Sequence, residues 1–343
     1  MSSQLANANR QILLAERPAG EPREASFRLA EGPVPDPGED EVLVRSLFLS
    51  VDPYMRGRMR DVKSYAPPTQ LDEVMVGGVV GEVVRSNQSG LDTGDVVVGM
   101  LGWQDYAVAK PGQLHKLDPR VQPISLALGV LGMPGLTAYF GLLDIGQPKE
   151  GETVVVSAAS GAVGAVVGQI AKIKGCRVVG TAGSDAKVEY IMNELGYDAG
   201  INYKTAGNLG AALDAACPAG IDVYFDNVGG PITDAVIMRM NERARLVICG
   251  QISQYNAEKP EMGPRNLFHF IRARARMEGF LIFDHAARYA EGQAALGQWI
   301  ADGKIKYRED IMDGLENAPK AFIRMMRGEN FGKQLVHIAD PSA

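Results

Sequence analysis

Residues 153–175, TVVVSAASGAVGAVVGQIAKIKG, constrain this chain more than any other stretch. Val154, Val155 and Val156 are successive β-branched residues, the pattern of a strand covered on both faces in a parallel sheet. Small residues follow from Ser157 to Gly161, and a second glycine stands at Gly164. Val163, Val166, Val167, Ile170 and Ile173 then recur at helical spacing. Strand, small-residue turn and helix together form the context of a dinucleotide fingerprint. The turn lets backbone approach a pyrophosphate, and the helix start offers that anion free N–H groups and a positive dipole end. Against G-x-G-x-x-G the first position is Ala159, and Gly161 and Gly164 fill the other two. A tight strand-to-helix turn without a ligand is the competing reading; later segments favour the nucleotide.

A chain of 343 residues is long for one core and comfortable for two domains. The first third predicts short strands at 11–14, 42–50, 79–85, 95–100 and 105–109, divided by the turns PDPGED, SNQSGLDTGD and AKPGQ. Many short strands with such turns indicate a small barrel or partly open sandwich. A glycine-interrupted helical pattern covers 125–140, and beyond it strands and helices alternate. Strands are predicted at 154–156, 177–181, 201–203, 221–225, 246–249 and 278–283, with helices at 184–195, 231–241 and 286–301. That alternation is the signature of an α/β doubly wound parallel sheet. Residues 304–338 read as strand, helix and strand, too short for a core of their own. The expected division is 1–125, 126–302, and a 303–343 segment returning to the first domain.

The tip of the second strand reads VVGTAGSDAKVEY. An NAD site places an acidic residue there to grip the ribose 2′-hydroxyl. Here Ala182 and Gly183 end the strand, and Asp185 reads as part of the next helix cap, with Ser184 as the other cap candidate. Lys187, one turn on, is able to pair with a 2′-phosphate, and Tyr203 closes the third strand beside the adenosine end. A solvated helix lysine is the other reading of Lys187. With the acid missing, the pattern favours NADP(H) over NAD.

Metal and hydrolase chemistry lack their residues. No cysteine precedes Cys176, and His115, His269, His285 and His337 are scattered at no ligand spacing, so no metal site is expected. No G-x-S-x-G elbow is present. The net charge of −6 argues against nucleic acid or a membrane surface as the main partner. No apolar run reaches the length of a membrane span. Cys176, Cys217 and Cys249 are widely spaced, and the start MSSQLANANRQ lacks a hydrophobic signal core, so a reducing cytoplasm is expected.

Several motifs carry a family resemblance over nearly the whole chain. They are SVDPYMRGRM from Ser50, GWQDY from Gly102, GMPGLTAY from Gly132, AASGAVG from Ala158, YFDNVGG from Tyr224, CGQISQYN from Cys249 and ENFGKQLV from Glu329. With them the chain resembles a zinc-independent medium-chain dehydrogenase/reductase, of the curcumin reductase, 2-alkenal reductase and prostaglandin reductase group. Where zinc members carry Gly-His-Glu, this chain reads VGGVVGE from Val76.

The resemblance implies a GroES-like β-barrel catalytic domain and a Rossmann domain, with the active site in the cleft between them. It implies NADPH, and reduction of the C=C bond of α,β-unsaturated ketones and aldehydes. Gly161, Ala162, Val163 and Gly164 would hold the pyrophosphate, Lys187 and Tyr203 the adenosine phosphate end, and Asn227 the ribose. Cys249, Gly250, Ile252, Ser253 and Tyr255 would line the nicotinamide side. Phe280, Leu281, Ile282 and Asn330 would close the cofactor site. Hydride addition to a β-carbon builds negative charge on the carbonyl oxygen, so a donor aimed at that oxygen is the main electrostatic lever. Tyr54 and Tyr255 are the candidates, with aromatic packing and cofactor packing as their respective alternatives; the cofactor ribose hydroxyl is a further donor. Trp103 and Met133 are candidates for the pocket wall, or equally for core packing. A homodimer joined through the edge of the Rossmann sheet is also implied. A quinone reductase of the same superfamily and a non-catalytic NADPH-binding protein remain as alternatives.

Overall fold

The computed structural model describes residues 8–342. It divides into two compact units: residues up to Gly129 together with those from Glu309 on, and Val130–Arg308. In chain order the first unit supplies β1 (Asn9–Leu14), β2 (Phe27–Gly32), β3 (Val42–Ser50), β4 (Val79–Ser86), β5 (Val96–Gly99), β6 (Tyr106–Ala109) and β7 (Leu114–Lys116). The second supplies β8 (Thr153–Val156), β9 (Arg177–Ala182), β10 (Ala199–Asn202), β11 (Ile221–Asp226), β12 (Met240–Ile248) and β13 (Arg276–Gly279). The chain then adds β14 (Glu309–Asp313) and β15 (Lys333–His337) to the first unit.

The first unit is organised on β3. Val42, Leu43, Val44, Leu47 and Leu49 are all fully buried, so both faces of this strand are covered, as its unbroken apolar run predicts. Its sheet runs β14-β15-β3-β4-β5-β7, with β6 also paired to β3, while β1 and β2 form a separate antiparallel pair. Phe27 stacks on Trp103 at 5.5 Å, and Phe322 meets both edge-on, closing the core.

The second unit is a parallel sheet in the order β10-β9-β8-β11-β12-β13. Strand succession reverses between β8 and β11, and the crevice outside the carboxyl ends of two such strands is where this architecture binds ligands. Val154, Val155 and Val156 are fully buried at the sheet's centre.

Some elements differ from expectation. The helix predicted to 241 ends at Ile237, because Met240 already begins β12. The strand predicted at 278–283 lies at Arg276–Gly279; the apolar run that suggested it enters a loop and a short 3₁₀ segment, Ile282–Arg288. Helices Leu209–Ala216 and Leu267–Ala273 were not foreseen. The first is capped by Asn208, whose side chain accepts from the Ala211 N–H at 3.0 Å. No helix among the described residues is long and apolar enough to cross a membrane.

Candidate functional site

The carboxyl ends of β8 and β11 are stitched together by side chains. The buried Ser157 hydroxyl, just after β8, donates to Asp226 Oδ1 at 3.1 Å and accepts from the Asn227 N–H at 2.8 Å. Asn227 Nδ2 returns a 2.8 Å bond to the Ser157 carbonyl. Asp226 is fully buried. Besides Ser157, its Oδ1 accepts from the Tyr224 hydroxyl at 2.9 Å and from the N–H groups of Val228 (2.9 Å) and Gly229 (2.8 Å); Oδ2 accepts from Thr233 at 2.6 Å. These neutral donors replace the hydration that burial removes from the carboxylate. The turn that presents Asn227 is thereby fixed before any ligand arrives.

The segment after β12 is pinned to this turn. The N–H groups of Cys249 and Gly250 donate to the Asp226 carbonyl at 2.9 and 3.0 Å, and that of Ile252 to the Asn227 carbonyl at 3.3 Å. Ser253 donates to the Val228 carbonyl from its backbone (3.1 Å) and its hydroxyl (2.6 Å). The Tyr255 hydroxyl accepts from the Gln251 N–H at 3.2 Å. A Cβ on Gly250 would stand 3.2 Å from that hydroxyl and 3.4 Å from the Asn227 carbonyl. Asn227, Cys249, Gly250, Ile252, Ser253 and Tyr255 thus form one cluster. Burial, and after it the charge of Asp226, push the Cys249 thiol up to about 12, so it stays protonated and is no nucleophile.

Beside the cluster runs the fingerprint turn. Ala158 takes a left-handed φ of 49°, and the Gly161 N–H donates to its carbonyl at 2.9 Å. Ala162 and Val163, both half-buried, lead into the helix Gly164–Ile173. A Cβ on Gly164 would stand 2.4 Å from the Ala158 carbonyl oxygen and 2.9 Å from the Ala159 Cα, so turn and helix approach backbone to backbone.

At the tip of β9, Ser184 is the N-cap, accepting from the Lys187 N–H at 3.4 Å. Asp185 is the first helical residue, and its carboxylate accepts from Asn202 Nδ2 at 2.7 Å. One oxygen of this carboxylate is thereby tied to the end of β10. A Cβ on Gly183 would stand 3.0 Å from the Tyr203 hydroxyl and 3.4 Å from Lys204 Cε. The strand tip therefore meets a phenol and a second lysine, with Lys187 in the first turn of the adjoining helix. Burial raises the Tyr203 phenol above its ordinary range, so it stays a donor.

The remaining predicted residues stand outside this network. Phe280 lies over Gly141, where a Cβ would come 2.5 Å from its ring. Leu281 precedes the 3₁₀ segment, and the buried Ile282 accepts from the Tyr289 hydroxyl at 3.1 Å. Met133 opens the helix Met133–Phe140, and its carbonyl accepts from Thr137 at 2.7 Å. In the first unit, Asn330 donates to the Gly332 carbonyl at 2.9 Å. Trp103 has no exposed surface, and core packing describes its surroundings. Tyr54 packs against the first unit's core just before the helix Met55–Arg58. Burial foremost, and next the charge of Asp52, raise its phenol far above the ordinary range, so at neutral pH it can only donate or accept, never ionise. Sequence reading passed over Ser157, Asp226 and Lys204. The polar pair Asp226-Asn227 within YFDNVGG was the available signal for Asp226.

Among the described residues, no group of three or more His, Cys, Asp or Glu side chains could hold a metal ion. Purified protein is expected to carry no stoichiometric zinc and to keep its turnover in chelator. Elemental analysis showing one zinc per chain, with chelator-sensitive turnover, would contradict this.

Two family models match the chain: "N-terminal domain of oxidoreductase" over residues 10–117, and "Zinc-binding dehydrogenase" over residues 162–297. The chain is 50% identical to the NADPH-dependent curcumin reductase of Escherichia coli, covering 96% of this chain and 97% of that one. It is 44% identical to the NADP(+)-dependent 2-alkenal reductase of Nicotiana tabacum, over 97% and 98% respectively. Among solved structures, the fold superposes on CurA from Vibrio vulnificus in complex with NADPH, with a TM-score of 0.93 at 50% identity over 97% of this chain and 100% of that one.

Proposed function

The chain belongs to the zinc-independent medium-chain dehydrogenase/reductase family, and from that premise we propose that it is an NADPH-dependent reductase of the C=C bond of α,β-unsaturated ketones and aldehydes. The end-to-end likeness to curcumin and alkenal reductases is the observation that carries this reading. The residues present fit the cofactor. The Gly164 contact leaves the fingerprint turn without side-chain bulk, and the strand tip, which ends in Ala182 and Gly183 with no acid of its own, meets Tyr203 and Lys204. Gly161, Ala162, Val163 and Gly164 hold the pyrophosphate, Lys187 and Tyr203 the 2′-phosphate, and Asn227 the ribose. The Cys249–Tyr255 segment, with Phe280, Leu281 and Ile282, lines the nicotinamide side, and Asn330 is a further contact.

When bound, NADPH supplies the hydride that the substrate's β-carbon receives. The protein's task is to bind, orient and stabilise the charge that grows on the carbonyl oxygen. Tyr54 donates a hydrogen bond to that oxygen, and Tyr255 holds the Gly250–Gln251 backbone in place. Met133 contributes to the substrate's surroundings. Initial rates of NADPH consumption across enones, enals and quinones test the assignment. Preference for enones and enals supports it; turnover of quinones alone contradicts it.

Lys187→Ala is expected to weaken NADPH binding by about 1.5–3 kcal/mol, the scale of a hydrogen bond to a charged group, and to leave NADH binding almost unchanged. Fluorescence titration with both cofactors decides, and equal loss for both would overturn the 2′-phosphate assignment.

The protein acts as a homodimer in the cytoplasm. Among the described residues strand β13 is paired on one side only, all its residues are exposed, and the neighbouring helix exposes Leu267, Phe268 and Ile271 at 68, 71 and 72%. Light scattering should return twice the chain mass; the single-chain mass would contradict the dimer. The three cysteines are free thiols, which suits a reducing compartment.

A further inference from the structure

Among the buried charged residues of the first unit, two are paired with each other and have no part in the cofactor reading. Lys333, at the start of β15, is 4% exposed, and Asp52, in the turn after β3, is 5% exposed. Lys333 Nζ donates to Asp52 Oδ1 at 2.7 Å and to the Val51 carbonyl at 3.0 Å. The Ser50 hydroxyl donates to the other carboxylate oxygen. The Val51 N–H donates to the Gln334 carbonyl at 3.2 Å, so β15 grips this turn through backbone and ammonium together.

The turn leads directly to Tyr54. The Met55 N–H donates to the Asp52 carbonyl at 3.2 Å, the Arg56 N–H to Pro53 at 3.1 Å and the Gly57 N–H to Tyr54 at 2.9 Å. The Asp52 N–H reaches Met55 Sδ at 3.5 Å. Of the backbone bonds that start this short helix, those of Met55 and Arg56 therefore end on the residue that Lys333 clamps and on its neighbour Pro53, while the Arg56 guanidinium is held separately by the Pro18 and Gly20 carbonyls. A buried ion pair is weak as a stability device, because apolar residues of similar volume serve as well or better. What it supplies instead is a single geometry, since an ammonium and a carboxylate without water tolerate little displacement.

We propose that the buried Lys333–Asp52 pair is a positioning device that fixes where the Tyr54 hydroxyl stands for the reaction. The inference rests on the proposed donor role of Tyr54. Lys333 and Asp52 act through that residue and touch no substrate. Burial keeps the phenol in its neutral, donating form, and the negative charge of Asp52 adds to that effect.

The test compares single-turnover hydride transfer to an enone, at saturating NADPH, in four proteins: wild type, Tyr54→Phe, the pair variant Asp52→Asn with Lys333→Met, and all three changes together. Thermal unfolding and NADPH titration confirm that each is folded and loaded. The pair variant should lose about tenfold to a hundredfold in rate, the scale of a misplaced catalytic group, with NADPH affinity and enone KM each within about twofold. In the Tyr54→Phe background the same two changes should cost nothing further. An unchanged rate in the folded pair variant overturns the inference, as does an equal fall in both backgrounds; in either case an impaired Tyr54→Phe leaves the donor reading standing. An unimpaired Tyr54→Phe overturns the donor reading and the inference with it. If the pair variant does not fold, Ser50→Ala, which removes only one bond to Asp52, takes its place under the same criteria with a smaller coupled fall.

Discussion

Tyr54→Phe is expected to lower kcat for an enone by about tenfold to a thousandfold, the range bounded by losses of single oxyanion donors. The substitution removes one oxygen and keeps the ring, so packing against Met55 and the rest of that core survives. A hydrogen bond to the carbonyl oxygen is stronger once that oxygen carries negative charge, so the loss falls on the chemical step and not on substrate affinity. Burial keeps the phenol protonated well above neutral pH, so the wild-type rate should show no fall from Tyr54 ionisation in the accessible range. NADPH affinity should stay within about twofold, because the residues proposed for the adenosine end all belong to the second unit. Tyr255→Phe should behave differently. Its hydroxyl accepts from the Gln251 N–H within the cofactor segment, so its loss should disturb binding and rate together. Stopped-flow traces of the two Phe variants make the comparison, and an unchanged rate in Tyr54→Phe would reduce Tyr54 to packing.

Gly164→Ala should be the most damaging single methyl group in the second unit's turn. Its Cβ would stand 2.4 Å from the Ala158 carbonyl oxygen and 2.9 Å from the Ala159 Cα, both backbone atoms that cannot swing aside. The buried valines of β8 hold one side of this contact and the Gly164–Ile173 helix the other. Relief requires moving the helix off the turn, at about 3 kcal/mol or more of stability and with loss of the pyrophosphate site. Gly161→Ala is the control. Its Cβ meets only the Ala158 oxygen, at 3.2 Å, so the fold should tolerate it while NADPH affinity falls. Urea unfolding and NADPH titration of both variants separate the two effects. Equal stability of the two proteins would contradict the backbone-contact account.

Local pattern made much of this legible. Three valines, a small-residue turn and helical spacing specify β8, its turn and its helix, because each depends on neighbours in sequence. Strand β3 is likewise readable from its own apolar run. Residues whose roles arise from distant partners were not. Lys204 reaches Gly183 only because β10 pairs with β9 in the register Asn202↔Ala182, which a single strand does not announce. Asp226 collects donors from Ser157, Tyr224, Thr233 and its own turn, and Lys333 clamps a residue 281 positions away. The misplaced strand at 278–283 has the opposite cause: Phe280, Leu281 and Ile282 are apolar like a strand, yet β13 ends at Gly279.

The central claim is that hydride passes to a carbon–carbon double bond. Turnover of an enone with NADPH deuterated at both C4 positions, followed by mass spectrometry and NMR of the product, tests it most directly. The account predicts a saturated ketone with deuterium at the β-carbon, an unreduced carbonyl and one NADPH consumed per molecule of product. An allylic alcohol with deuterium on the former carbonyl carbon, or recovery of unchanged enone while quinones are reduced, would contradict it.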